Sequence, residues 1–196
     1  NGVEATTYYP ATSGNAVYVY KTKPTLTNVA LPTTVLNAGT QSLYQFSVTA
    51  DAGGTVAWQY IKFNIATSGA TTLSSFNLYD AANQSTPLTG VTVTYNGAGT
   101  AIASSTIDQE VSGSKTYVLK ATVGGTLLTG ASVSTNIASG GAAHAAPTTA
   151  GAVVTAGSTS FVWSDESIVP HDSSSADWSN DNLVKNLPTD SLTLTK

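Results

Sequence analysis

Residues 41–66 read QSLYQFSVTADAGGTVAWQYIKFNIA, and their alternation decides the fold class. Leu43, Gln45 and Ser47 alternate with Tyr44, Phe46 and Val48. Past residues 51–54, Ala57, Gln59, Ile61, Phe63 and Ile65 alternate with Val56, Trp58, Tyr60, Lys62 and Asn64. Successive side chains of an extended chain point to opposite faces, so a period of two over each run marks a strand. The intervening DAGG supplies residues that tolerate positive φ, and this spacing predicts a hairpin.

The same signal recurs on both sides. In NAVYVYK (15–21), Val17 and Val19 share one face, and Tyr18 and Tyr20 the other. Further strands are expected at 74–80, 90–96, 105–111, 115–123, 130–137, 152–155 and 159–165, with breaks at 96–99, 112–114 and 124–125. No stretch of ten residues carries apolar positions at i, i+3, i+4 and i+7 among good helix formers, and Thr and Ser disfavour helix interiors. About ten short strands without crossover helices predict an all-β, antiparallel sandwich of immunoglobulin-like or jelly-roll-like type. Residues 1–20 form an expected N-terminal arm and first strand. Residues 21–196 form the sandwich, with a flexible loop at 138–152 (ASGGAAHAAPTTAGA) and an acidic loop near the end.

The chain has 196 residues, 41% hydrophobic and 9% charged, with 17 Gly, 7 Pro and neither Cys nor Met. That apolar share suffices for a folded core. A net charge of −4 with no basic cluster offers nothing to displace counterions from a duplex, so nucleic acid is not an expected partner. The lack of cysteine removes disulfides, thiolate nucleophiles and Cys-ligated zinc. No apolar run approaches the roughly 20 residues of a membrane helix, so membrane insertion is not expected. Asn1 in place of an initiator Met leads us to expect a processed chain whose signal peptide has been removed.

Six of the 11 acids fall in the last 32 residues. Asp165, Glu166, Asp172, Asp177 and Asp181 are candidate calcium ligands, because calcium takes hard oxygens from turn-rich loops. Their spacing does not match an EF-hand loop, and a solvated polar loop explains them more simply. His171 beside Asp172 and the serines 173–175 offers the residue types of a nucleophilic triad. All lie on one loop without a nucleophile elbow, which argues against a preorganised site. Asp108 and Glu110 are the only acids sharing a predicted strand face, which surface alternation explains. No catalytic residue and no organic cofactor is assigned, and a non-enzyme is expected.

Trp58 with Tyr60 and the pair Tyr8–Tyr9 could stack on sugar rings if exposed, or pack in a core or subunit contact. Lys62 and Lys120 sit mid-strand among apolar residues, which raises an intramolecular Lys–Asn crosslink with Asn64, Asn77 or Asn136 against an ordinary solvated edge.

Residues 161–196 contain Trp163–Ser164–Asp165, His171, serines 173–175, Asp177–Trp178 and LVKNLP (183–188), in that order. This ending, with VYKTKPT (19–25) and residues 43–65 upstream, resembles the C-terminal domains of predicted secreted proteins from uncultured candidate-phyla-radiation bacteria. The resemblance implies a cell-surface β-sandwich and no catalytic residues.

The function expected from these readings is that of an extracellular structural protein. It would be one subunit of a surface filament or layer of identical copies, joined by β-strand addition. The donor would be residues 8–21 or the terminal SLTLTK (191–196), with Tyr8, Tyr9, Val17, Tyr18, Val19 and Tyr20 at the subunit interface. The alternative is an adhesin or carbohydrate-binding module that recognises surface glycans.

Overall fold

Runs of Thr, Val, Tyr and Ile favour a pleated, half-buried backbone, and the computed structural model, which describes residues 17–51 and 54–196, is built almost wholly of strands. In chain order these are β1 (Pro24–Asn28), β2 (Gly39–Ala50), β3 (Thr55–Ser68), β4 (Ala70–Asp80), β5 (Val91–Tyr95), β6 (Thr100–Ser112), β7 (Ser114–Thr126) and β8 (Ser132–Asn136). A short helix α1 (Ala150–Thr155) follows, then β9 (Phe161–Ser164), β10 (Trp178–Ser179), a 3-10 turn (Asp181–Leu183) and β11 (Leu192–Thr195). The fold is an all-β sandwich of two antiparallel sheets. The first runs β1-β2-β7-β4 and the second β10-β9-β3-β6-β5, with β8 pairing the second half of β3 and β11 pairing β8.

The core lies between the sheets. Tyr44, Phe46, Phe63, Tyr117, Trp58, Phe161 and Trp163 are fully buried there. The Phe46 ring lies 5.6–5.8 Å from those of Tyr44, Phe63 and Tyr117, in the offset and edge-on geometries that aromatic quadrupoles favour.

Two bulges change which residues reach this core. The β2–β7 register shifts between Ser42 and Tyr44, so Leu43 is buried along with Tyr44, Phe46 and Val48. The β3–β6 and β3–β9 registers shift between Trp58 and Tyr60. An extra residue inverts the facing of everything beyond it. Val56 and Trp58 before the bulge therefore join Ile61, Phe63 and Ile65 after it in the core. Strict alternation had set these two groups on opposite faces. Ala57 points outward, under a small second cluster of Ala150, Val153, Val162 and Trp178, with Tyr60 packed against it.

Several expectations are corrected. Strands β2 and β3 form no hairpin, because they pair in different sheets; Ala52 and Gly53 lie outside the described residues. Residues 152–155 belong to α1: Thr149 caps it by accepting from the Ala152 N–H, and Ala150 and Val153, one turn apart, bury one face. Gly124 and Gly125 do not break a strand but pair within β7 against Thr72 and Thr71. Residues 17–20 are in no strand. The terminal 191–196 segment is not a free donor, since β11 is paired with β8 and Thr195 also bonds to Thr34 and Leu36.

Candidate functional site

The outer face of the second sheet, beyond Ala57, is covered by α1, Trp178 and the loop 165–177. His171 is the centre of that cover. Its Nδ1 lies 2.9 Å from Asp108 Oδ2, its Nε2 lies 2.9 Å from Ser164 Oγ, and its ring packs 5.1 Å from that of Trp178. A carboxylate only accepts, so Nδ1 carries the hydrogen, and in the neutral ring Nε2 accepts from Ser164. Gln59, the β3 bulge residue, donates to the other Asp108 oxygen at 2.8 Å. Asp177 Oδ1 sits 3.2 Å from Nε2 but out of line for a hydrogen bond.

Ser164, His171 and Asp108 thus have the order and spacing of a nucleophilic relay, assembled from β9, the loop and β6. Asp172 and the serines 173–175 take no part in it. Asp172 is exposed and accepts from the Ser174 hydroxyl and amide, which hold its carboxyl below the usual carboxylate range. The relay has no approach: Ser164 is 0% exposed, and its hydroxyl accepts the Glu166 N–H at 2.8 Å. The arrangement therefore clasps the 165–177 loop to the sheet, tying three elements through one imidazole.

The five candidate calcium ligands are held apart. Asp165 accepts the Lys21 N–H at 2.7 Å, Asp177 the Ile168 N–H at 2.9 Å, and Asp181 the amides of Gly140 and Ser160. Among the described residues no three His, Asp or Glu side chains are placed to hold a metal ion. These buried carboxylates act as caps for loop amides instead.

Glu166 is the strained member of the loop. It takes a φ of 51°, and its Oε1 is buried without a partner. Burial first, then the nearby charge of Glu110, pushes its carboxyl above the ordinary value of 4.5, against the pull of His171 and Lys21. The folded chain holds this proton more tightly than the unfolded chain does. Its contribution is therefore complete below about pH 4.5 and is lost as pH rises through the raised folded value. Glu166→Gln is expected to gain up to about 0.5 kcal/mol at pH 7, small because solvent screens a partly exposed group. At pH 4 the gain should vanish; urea titrations at both pH values measure the difference.

The N-terminal segment is fastened by a second set of contacts. Tyr20 packs on Trp163 at 5.3 Å, and its hydroxyl reaches His144 Nε2 at 2.9 Å and Ser179 Oγ at 3.1 Å. Burial pushes the Tyr20 phenol up, with the Ser179 bond opposing. Tyr18 lies on the His144 ring at 5.2 Å, and Lys21 donates through Nζ to the Glu166 carbonyl. The 138–152 loop is correspondingly fastened, with Asn180 and Asn182 donating to the carbonyls of Ala143 and Ala142. Val17 and Val19 point away, 85% and 90% exposed. Tyr8 and Tyr9 lie outside the described residues.

Other candidates find ordinary roles. Trp58, Trp163 and Trp178 are fully buried and Tyr60 is half-buried under α1, so Trp58 and Tyr60 offer no sugar-stacking face. Asn77 and Lys120 are register partners on β4 and β7. Both are partly exposed, and the ammonium lies 4.8 Å over the Tyr79 ring while donating to the Gln84 carbonyl. No buried lysine calls for a crosslink there. The Ser164–His171–Asp108 grouping was missed because its members are 7 and 63 residues apart in sequence and only the β6 irregularity brings Asp108 within reach.

No protein-family model matches the chain, and no curated protein matches it.

Proposed function

We propose that the protein is a non-enzymatic structural subunit of an extracellular surface filament or layer, assembled from identical copies by β-strand addition. One observation carries this reading. Among the described residues, 17–20 belong to no strand and lie outside both sheets, anchored at Tyr20 and Lys21, with Val17 and Val19 turned to solvent. An alternating segment of this kind supplies main-chain hydrogen bonds for affinity and side chains for register when it meets a sheet edge. Because Tyr20 is part of the subunit's own packing, the donor consists of residues N-terminal to it.

Negative-stain electron microscopy of the full chain beside a variant lacking residues 1–16 tests the reading. That cut keeps Tyr20 and Lys21, so the sandwich retains its anchor. Regular filaments or sheets from the full chain and dispersed particles from the variant are expected. Dispersed monomers in both samples would sink the proposal.

A further inference from the structure

Strand addition needs an acceptor, and the sheet edges of the described residues can be taken in turn. The outer edge of β1 is covered by Lys185, which bonds to Leu26 and Pro24. Trp178 of β10 exchanges two backbone bonds with Thr148, and Thr195 of β11 bonds to Thr34 and Leu36. The edge of β4 is interrupted: its register shifts between Ser74 and Asn77, Ser75 has a φ of 53°, and Leu88 bonds to Leu78 beyond. Of the outermost strands, that leaves residues 70–74 of β4 and the five residues of β5.

Strand β5 reads VTVTY, pairs only with β6, and among the described residues makes no backbone bond on its other side from Thr92 to Tyr95. Open edges are normally guarded by Lys, Pro, inward charges or a bulge, and β5 has none of these. Thr92 and Thr94 are exposed, while Val91, Val93 and Tyr95 are half-buried on the core side. An added strand there would find an uncharged partner rich in β-branched residues.

Placement selects the occupant. Tyr20 is anchored beside β9 and β10 at one end of the second sheet, and β5 lies at the other end, four strand spacings or about 19 Å away. Sixteen residues precede Val17, enough for roughly 50 Å of extended chain. Within them ATTYY (5–9) is rich in strand formers and is closed by Pro10. A donor at one end and an acceptor at the other, with each arm passed on to a fresh copy, make an open, head-to-tail polymer when repeated. Building on the proposed strand-addition reading, we infer that the outer edge of β5 is the acceptor and that its occupant is the 1–16 segment of a second copy.

The cysteine-free sequence makes the test clean, because every thiol is an introduced one. A full-length chain carrying Thr7→Cys is mixed with one carrying Thr94→Cys and treated with a short bis-maleimide, which tolerates a register offset. A second mixture replaces the acceptor site with Thr72→Cys on β4. Crosslinked heterodimers from the Thr94 mixture, at least tenfold above those from the Thr72 mixture, are expected. A Thr92→Lys/Thr94→Lys chain, altered only at exposed positions, should keep its circular dichroism and lose filament growth. Preferential crosslinking through Thr72 overturns the β5 assignment while leaving strand addition standing. Filaments without a link at either site overturn the arm as donor. A chain carrying both Thr7→Cys and Thr94→Cys that closes on itself at every dilution overturns the second copy as source.

Discussion

Gly125→Ala is expected to lower the unfolding free energy by roughly 3–4 kcal/mol, near the top of single-site effects. Gly125 has a φ of 87°, and a Cβ there would meet the Ala70 carbonyl oxygen at 2.0 Å and its carbon at 3.1 Å. The obstacle is backbone at the start of β4, which cannot swing aside as a side chain can, so the β4–β7 pairing would have to open. Its neighbour is the control: at Gly124 the added methyl meets only Thr72 Oγ1, at 3.0 Å, with no positive φ. Gly124→Ala should lose less than about 1 kcal/mol. Urea denaturation of both variants decides the matter, and equal losses at the two positions would refute the account.

His171→Ala is expected to lose about 3 kcal/mol by the same measurement. The side chains of His171, Asp108 and Asp177 are 10%, 16% and 5% exposed, so removing the ring leaves the Asp108 carboxylate poorly solvated and without the Nδ1–H it accepts, in a pocket that also holds the Asp177 carboxylate. It also takes away the hydrogen-bond partner of Ser164 and the ring packed on Trp178. Adding Asp108→Asn to His171→Ala should recover about 1 kcal/mol, because the amide oxygen still accepts from Gln59 while the charge is gone. Failure of the second change to recover anything would mean that lost packing, and not stranded charge, sets the effect.

The sequence announced the strands better than it announced their partners. Alternation located β2, β3 and β7, because burial on one face imposes a period of two. It could not tell that β2 and β3 belong to different sheets, since a turn between sheets uses the same residues as a turn within one. The Gln59 bulge was illegible for a related reason: nothing in AWQYI distinguishes a strand that alternates throughout from one that skips a residue. In α1 the two valines outweighed the Thr149 cap and the small residues around them. The buried acids were misread as a solvated loop because composition does not reveal which loop amides point inward to meet Asp165, Asp177 and Asp181. The His171 clasp depended on all of these errors at once, as its partners come from β6, β9 and the loop.

The stitching of residues 181–196 governs how such a chain can reach its folded state. Asn186 bonds to Leu26 across 160 residues, and Thr189 accepts the Tyr44 hydroxyl across 145 while bonding to Ile137. Burial pushes the Tyr44 phenol up to about 12, so that link persists through alkaline conditions that would ionise an ordinary tyrosine. Closures over such sequence distances are slow in loop-entropy terms. A chain emerging from its N-terminal end cannot complete β1's outer edge or β8's second partner until residues 185–195 have arrived. The final locking of both sheets therefore belongs to the latest step of folding, after the rest of the strands have paired.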